Sequence, residues 1–345
     1  MPEKEDFFLN ILRKYRAISI IGTAKNVGKT TTLNYLIDIS RNNFKLGLTS
    51  IGRDGESKDV IYSSPKPRIF VEKETIIATA KNCLLNSDIT KEIIAITDYN
   101  TPLGKIVIVK ALSDGFVELA GPSKNSELLK IKEELLNLKC DVVLIDGAIN
   151  RKSYASPLLT DATIIATGAA FSTNIYEIID QTTHLINLLS LKSESNPKII
   201  SLSKRIFKSG TIGIIYDDYK MKIIKSINVR NAIKKIDKKL FSNFPKIVIK
   251  GLITDNLMGE IMGFSNYYNR IVLLVEDSTK LFISRDILSK FQKSGGILKV
   301  LYPIKIVGVT INPKSPNGEG FSSEKFLKLI KQKINIPVFN LLEEG

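Results

Sequence analysis

Short β-rich runs alternate with helical spacing along almost the whole chain, a pattern that predicts an α/β protein with a mostly parallel sheet flanked by helices. The first unit is the clearest. Ala17 to Ile21 reads as a buried strand, Gly22 to Gly28 as a polar turn, Lys29 to Ile39 as a helix and Leu46 to Ile51 as a second strand. Gly52 to about Lys73 is rich in Gly, Pro, Ser and charge, as a long functional loop is, with a short strand at Arg68 to Val71. Thr75 to Leu85 reads as a helix. Ile93 to Thr97, Lys105 to Lys110 and Gly115 to Leu119 read as three short strands, an antiparallel addition whose first pair is joined by the hairpin-like DYNTPLG. Ser123 to Leu138 is then a helix, Asp141 to Asp146 and Thr163 to Thr167 are buried strands, and Ile175 to Leu191 is a helix.

The polar, Pro-containing KSESNPK after that helix is the best candidate boundary. It divides the chain into residues 1–192, an irregular basic insertion over 193–245, and residues 246–345, which are expected to complete the first fold. Strands at Ile247 to Leu252, Ile271 to Val275, Leu298 to Leu301 and Ile304 to Ile311 and a helix near Ser323 to Lys333 fill that last part. Lys220 to Lys239 carries eight cations against one acid, Asp237; a solvated helix face is favoured over an anionic docking surface.

Composition narrows the class. Of 345 residues, 43% are apolar and 25% charged, which excludes collagen-like and wholly disordered chains. No apolar run approaches the roughly 18 residues of a membrane span, and the start lacks a secretory layout, so the cytoplasm is expected. Cys83 and Cys140 stand alone and read as buried thiols. The single histidine, His184, lies in a helical stretch and reads as an ordinary helix residue. The net charge is +15, yet the cations are mostly Lys, and Arg is the residue favoured for bidentate phosphate and base recognition, so nucleic acid is an unlikely partner.

The stretch from Ala17 to Ile37, AISIIGTAKNVGKTTTLNYLI, carries the chemistry. A phosphate chain needs backbone N–H groups in a concave loop, a positive helix terminus, a lysine charge and a hydroxyl for Mg²⁺. Residues Thr23, Ala24, Lys25, Asn26, Val27, Gly28, Lys29, Thr30 and Thr31 supply all four: Gly28 lets the backbone approach, Lys29 reaches the β and γ phosphates, Thr30 ligates Mg²⁺ and Thr31 bonds the α phosphate. The competing reading is a strand-to-helix turn with an accidental GKT. The strand before and the helix after favour the phosphate loop, although Gly22 sits six residues before Gly28, one more than the plain GxxxxGK[ST] spacing. Asp146, ending the apolar VVLID, is the expected acid of the Mg²⁺ shell. Among the charged residues after the second strand (Arg53, Asp54, Glu56, Asp59), Asp54 is the choice for orienting attacking water, against an ordinary charged loop.

The loop GTAKNVGKT resembles the GTDTxVGKT loop of dethiobiotin synthetase and the GTxSxVGK[ST] loops of cobyric acid synthases, with Thr23, Val27, Gly28, Lys29 and Thr30 in register. That resemblance implies a P-loop NTPase fold of the wider class that includes nitrogenase iron protein and the Min and Par ATPases, and with the Min and Par group a possible homodimer. Lys25 lies one place later than the extra lysine of that group. Asn312-Pro313 resembles the synthetase segment whose Asn contacts adenine; an ordinary strand-to-turn Asn-Pro is the competing reading. No [NT]KxD motif for guanine occurs, so ATP is expected over GTP. The chain departs from the synthetase where substrate contacts belong: DGAINRKSYAS keeps only Gly147 and Ala148 of the EGAGG-like segment, and Lys66-Pro67 is displaced from the lysine-proline site.

GTAKNVGKTTTLNYL, TSIGRDGE, LIDGAINRKSYASP, TDATIIATGA and the NP turn are together similar to a family found in amino-acid fermentation clusters. Its members are named as a reactivase subunit for lysine 5,6-aminomutase, an adenosylcobalamin enzyme, and are thought to work with a MutS-like ATPase. The resemblance implies a Mg-ATP-dependent switch or chaperone acting on a protein partner. The alternative is an ATP-dependent ligase on a small carboxylic or amino substrate. A partition-type DNA-linked ATPase, favoured by charge alone, and a binding module without hydrolysis complete the readings.

Overall fold

Strand β1 (Ala17–Gly22) is buried at every position, as a parallel strand covered on both faces must be. The computed structural model describes residues 2–51, 68–147, 155–236, 246–263, 271–316, 318 and 320–342. It divides into two compact units, Met1–Thr183 with Lys305–Gly345, and His184–Ile304. The first contains α1 (Pro2–Lys14), β1, α2 (Lys29–Ile39), β2 (Leu46–Ser50), β3 (Ile69–Val71), β4 (Ile76–Ala80), α3 (Lys81–Leu85), β5 (Lys91–Thr101), β6 (Gly104–Ala111), β7 (Gly115–Val117), α4 (Asn125–Asn137), β8 (Val142–Asp146), β9 (Ala162–Gly168) and most of α5 (Ile175–Leu189). The second holds α6 (Pro197–Ser209), β10 (Ile212–Ile215), β11 (Met221–Ile224), α7 (Val229–Lys234), β12 (Lys246–Ile249), β13 (Ile253–Thr254), α8 (Asp255–Met262), β14 (Val272–Val275), β15 (Leu281–Phe282), α9 (Arg285–Lys293) and β16 (Ile297–Val300). The chain then returns to the first unit as β17 (Ile306–Asn312), α10 (Ser323–Lys331) and β18 (Val338–Asn340).

Among the described residues the first unit forms a nine-stranded sheet in the order β18-β17-β9-β1-β8-β2-β4-β6-β5. From β18 to β4 every pairing is parallel. The β5–β6 pairing is antiparallel, as the sequence pattern predicts, and the β4–β6 pairing, which it does not predict, is antiparallel too. This is the expected α/β architecture, a mostly parallel sheet with flanking helices and antiparallel additions. The rows β1, β2, β4 and β9 are buried throughout, whereas edge strand β5 leaves Ile93 and Ile96 more than half exposed. Helix α1, which the sequence reading left unassigned, brings Phe8 against Tyr35 of α2 and Phe339 of β18, with ring centroids 5.5 and 5.1 Å apart. Cys83 and Cys140 are buried thiols, as expected, and burial pushes Cys140 up to about 11. Among the described residues no helix is long and apolar enough to cross a membrane.

The second unit has its own five-stranded sheet, β11-β10-β12-β14-β16, with β12, β14 and β16 parallel and β10 antiparallel to β11 and β12. Its core is built on Ile212, Ile214, Ile247, Ile249, Leu273, Val275 and Phe291. His184 sits on α5, its Nε2 2.9 Å from the Ile283 carbonyl.

Several expectations are corrected. Residues 246–304 pair among themselves and with β10, so only 305–345 completes the first sheet; an apolar run tells that a strand is buried, not which sheet it joins. The units also part at 183/184 and 304/305, away from 192/193 and 245/246. Thr75 to Leu85 is a strand followed by one helical turn, because Ile76–Ala80 is inserted between β2 and β6. In the segment expected to be irregular, residues 197–234 form α6, β10, β11 and α7. Asn196 caps α6 through its side chain, accepting from Lys198 N and Ile199 N, with Pro197 in the first turn, so the Asn-Pro pair marks a helix start. Within the basic stretch, β11 and the short α7 replace one long helix, and Lys222, Lys225, Lys234 and Lys235 are solvent-exposed. Lys238 and Lys239 lie outside the described residues.

Candidate functional site

Strand β1 lies between β8 and β9, and the chain leaves it through the 23–28 turn into α2. Gly28 caps that helix in the left-handed region (φ 98°, ψ 18°), and no side chain closes the helix end. The first intrahelical bond runs from Thr32 N to Gly28 O at 2.9 Å, which leaves the N–H groups of the first turn, including those of Lys29, Thr30 and Thr31, without an intrahelical acceptor. An uncapped helix start with its dipole behind it attracts anions. Thr23 does not add its amide to this set, because its N–H is bonded to Ala166 O at 3.0 Å, continuing the β1–β9 ladder.

Lys29 folds back over the end of β1 and donates to Ala24 O at 3.0 Å. A Cβ at Gly22 would come within 2.8 Å of Lys29 Nζ and 2.9 Å of its Cδ, so the glycine gives the lysine stem its path. This explains the displaced glycine: its neighbour is the lysine rather than the helix start. Burial lowers the Lys29 pKa, Asp146 pulls it back up, and Lys25 pushes it further down.

Asp146 ends β8 in register with Ile20 on one side and Ser50 on the other. Gly147 N donates to Ile20 O at 2.9 Å, and a Cβ there would meet that oxygen at 2.6 Å, so the chain leaves β8 pressed against β1. Ser50 Oγ accepts from Gly121 N at 3.1 Å. The AGPS segment thus crosses the carboxyl end of β2, and only glycine fits: a Cβ at 121 would fall 1.6 Å from Ser50 O.

Asn312, at the end of β17, reaches the loop from the far side. Its Nδ2 donates to Asn26 O at 3.4 Å, its Oδ1 accepts from Lys314 N at 2.9 Å, and its Cβ lies 3.2 Å from where a Cβ on Gly28 would be. The structure therefore joins the amide expected to face adenine to the loop backbone. Pro313 follows it, its carbonyl accepting from Phe321 N at 2.9 Å. One strand position earlier but one, Thr310 Oγ1 lies 2.7 Å from Thr32 Oγ1, which also bonds Gly28 O.

The structure thus gathers residues 23–31, Asp146 and Asn312 at one end of the sheet. Asp54 and the other charged residues after β2, the Asn150-Arg151-Lys152-Ser153 run and Lys66-Pro67 lie outside the described residues. Sequence reasoning missed Gly121 and Ser50, whose signal was only a Gly-Pro pair, and the buried hydroxyls of Thr167 and Thr182. For Mg²⁺ the donor chemistry fits: Asp146 and the Thr30 hydroxyl offer hard oxygens, and among the described residues no group of three or more His, Cys, Asp or Glu forms a closed metal cage. Magnesium characteristically takes one or two protein oxygens and completes its shell with water and phosphate.

No family model matches the chain, and no curated protein matches it. Among solved structures it is similar to signal recognition particle receptor FtsY from Elizabethkingia anophelis, at 11% identity and a TM-score of 0.27 over 95% of this chain and 70% of that one. So remote a likeness says nothing about the reaction.

Proposed function

We propose that the chain binds a nucleoside triphosphate with Mg²⁺ at the 23–31 turn and uses it as a switch or chaperone on a protein partner. The observation that carries this is the uncapped, glycine-led start of α2 with Lys29 folded beside it and Asp146 on the adjacent strand. Amides from Ala24 to Thr31 and the Lys29 ammonium would hold phosphate oxygens in a site where negative charge has few other partners. Thr30 and Asp146 would hold the metal, which neutralises phosphate charge when bound. ATP is the proposed nucleotide, on the resemblance of the Asn312-Pro313 turn and the lack of a guanine motif. The separate resemblance of GTAKNVGKTTTLNYL, TSIGRDGE, LIDGAINRKSYASP, TDATIIATGA and the NP turn to the reactivase-subunit family supports a client of the lysine 5,6-aminomutase kind, with a MutS-like ATPase as second partner.

Titration of the wild type and a Lys29→Ala variant with Mg-ATP tests the site: saturable binding that the variant loses supports it, and no binding by the wild type refutes it. Stimulation of ATP turnover by a purified aminomutase would support the switch. Turnover that requires a small carboxylic or amino acceptor would replace it with the ligase.

A further inference from the structure

A chain of three hydroxyls runs from the loop into the interior of the first unit. Thr23 Oγ1 is bonded to Thr167 Oγ1 at 3.1 Å, Thr167 Oγ1 lies 2.8 Å from Thr182 Oγ1, and Thr182 Oγ1 is 2.7 Å from Ile178 O. Thr167 and Thr182 are fully buried, so no water competes for these bonds. Each hydroxyl has one hydrogen to give, and a carbonyl can only accept. Thr182 therefore spends its hydrogen on Ile178 O, Thr167 spends its own on Thr182, and Thr23 spends its own on Thr167. The helical carbonyl at one end fixes the polarity of the whole chain.

The consequence falls on the loop. Thr23 has no hydrogen left for the site, and its N–H is already bonded to Ala166 O. What its side chain offers is a lone pair. We infer that Thr167 and Thr182 are positioning residues that hold Thr23 as an acceptor, so that it meets a hydrogen-bond donor in the bound ligand shell rather than a phosphate oxygen. A lone pair facing an unprotonated phosphate oxygen repels it, whereas a metal-bound water, an ammonium or a hydroxyl is a donor. The inference rests on the proposed triphosphate site and deepens it: it states which kind of group lies against the first residue of the loop.

Replacing Thr182 by Val removes both the acceptor for Thr167 and the anchor to Ile178 O. Thr167 is then free to donate to Thr23, and Thr23 is free to turn its hydrogen toward the ligand. The experiment measures the Kd of ATP for the wild type, Thr182→Val, Thr182→Ala, Thr167→Val and Thr182→Ser, once with Mg²⁺ and once with EDTA. Thermal melting of each unliganded protein runs alongside, so that binding is read only from folded variants; Thr182→Ala serves if the Val substitution does not fold. Thr182→Ser keeps the hydroxyl chain and is expected to bind as the wild type does.

The expected result is affinity about 3- to 10-fold weaker in the Val and Ala variants, the size of one hydrogen bond lost. Weakening confined to the Mg²⁺ arm identifies the donor as metal-bound water, and equal weakening in both arms places the donor on the nucleotide itself. Unchanged or tighter binding with Mg²⁺ in the folded Val and Ala variants, or equal weakening in Thr182→Ser, overturns the inference and leaves the triphosphate site standing. A wild type that binds in neither arm overturns both.

Discussion

The start of α2 in the first unit differs from every described helix start in the second. In the second, every described helix begins under a side-chain cap: Asn196 on α6, Asn228 on α7, Thr254 on α8 and Ser284 on α9. In the first, α2 follows the central strand with glycine at the cap and no side chain over its end. A capped end has its amides satisfied from within the chain, and the cap contributes to stability. An open end keeps its amides for something else. In the first unit α10 is capped by Ser322 while α3 and α4 also lack a side-chain cap, so what marks α2 out is its left-handed glycine start beside Lys29 at the end of a fully buried strand.

The largest test of that contrast is Lys29→Ala, which is expected to weaken Mg-ATP binding by about 100-fold, the scale of losing charge-assisted bonds, while leaving the melting temperature nearly unchanged. Gly22→Ala should act through the same lysine. The new Cβ would meet Lys29 Nζ at 2.8 Å and displace it, so isothermal titration should show about 10-fold weaker binding with little change in fold. Gly28→Ala forces a Cβ into a left-handed conformation against Asn312, and chemical denaturation should register a loss of about 1–2 kcal/mol.

The pH dependence follows from Lys29. Its pKa is lowered in the free protein, chiefly by burial, and bound phosphate would raise it, so binding takes up protons. Affinity is therefore full below the lowered free-state pKa and falls as pH rises through it. Lys29→Arg, whose charge does not titrate, should flatten that slope in titrations across the same pH range. The smallest effect belongs to the capped side of the comparison. Asn196→Ala should lower stability by about 1 kcal/mol, read as a melting shift, and leave the Kd for Mg-ATP unchanged. A change in that Kd would show that the two kinds of helix end are not separate in purpose.

Much of this was legible in the chain. β1, the turn and α2 were bounded from local pattern, because a buried strand, a glycine turn and a helix each leave a short-range signature. Asp146 was legible as the acid that ends an apolar run. The Asn196-Pro197 helix start was equally visible in principle and was taken for a boundary, since Asn-Pro also opens turns. The role of Gly22 was not visible, because spacing along the chain says nothing of a lysine stem folded back across it.

By itself, then, the sequence determined the strand, glycine turn and helix, the acid on a later strand, the buried thiols and the α/β alternation, all of them consequences of neighbours a few residues apart. Only the tertiary structure decided that β8 and β9 flank β1, that residues 246–304 build a second sheet while 305–345 return to the first, and that Thr167 and Asn312 meet the loop. Those contacts join residues more than a hundred positions apart, or arise from the choice among equally apolar strands, and neither leaves a periodicity to read.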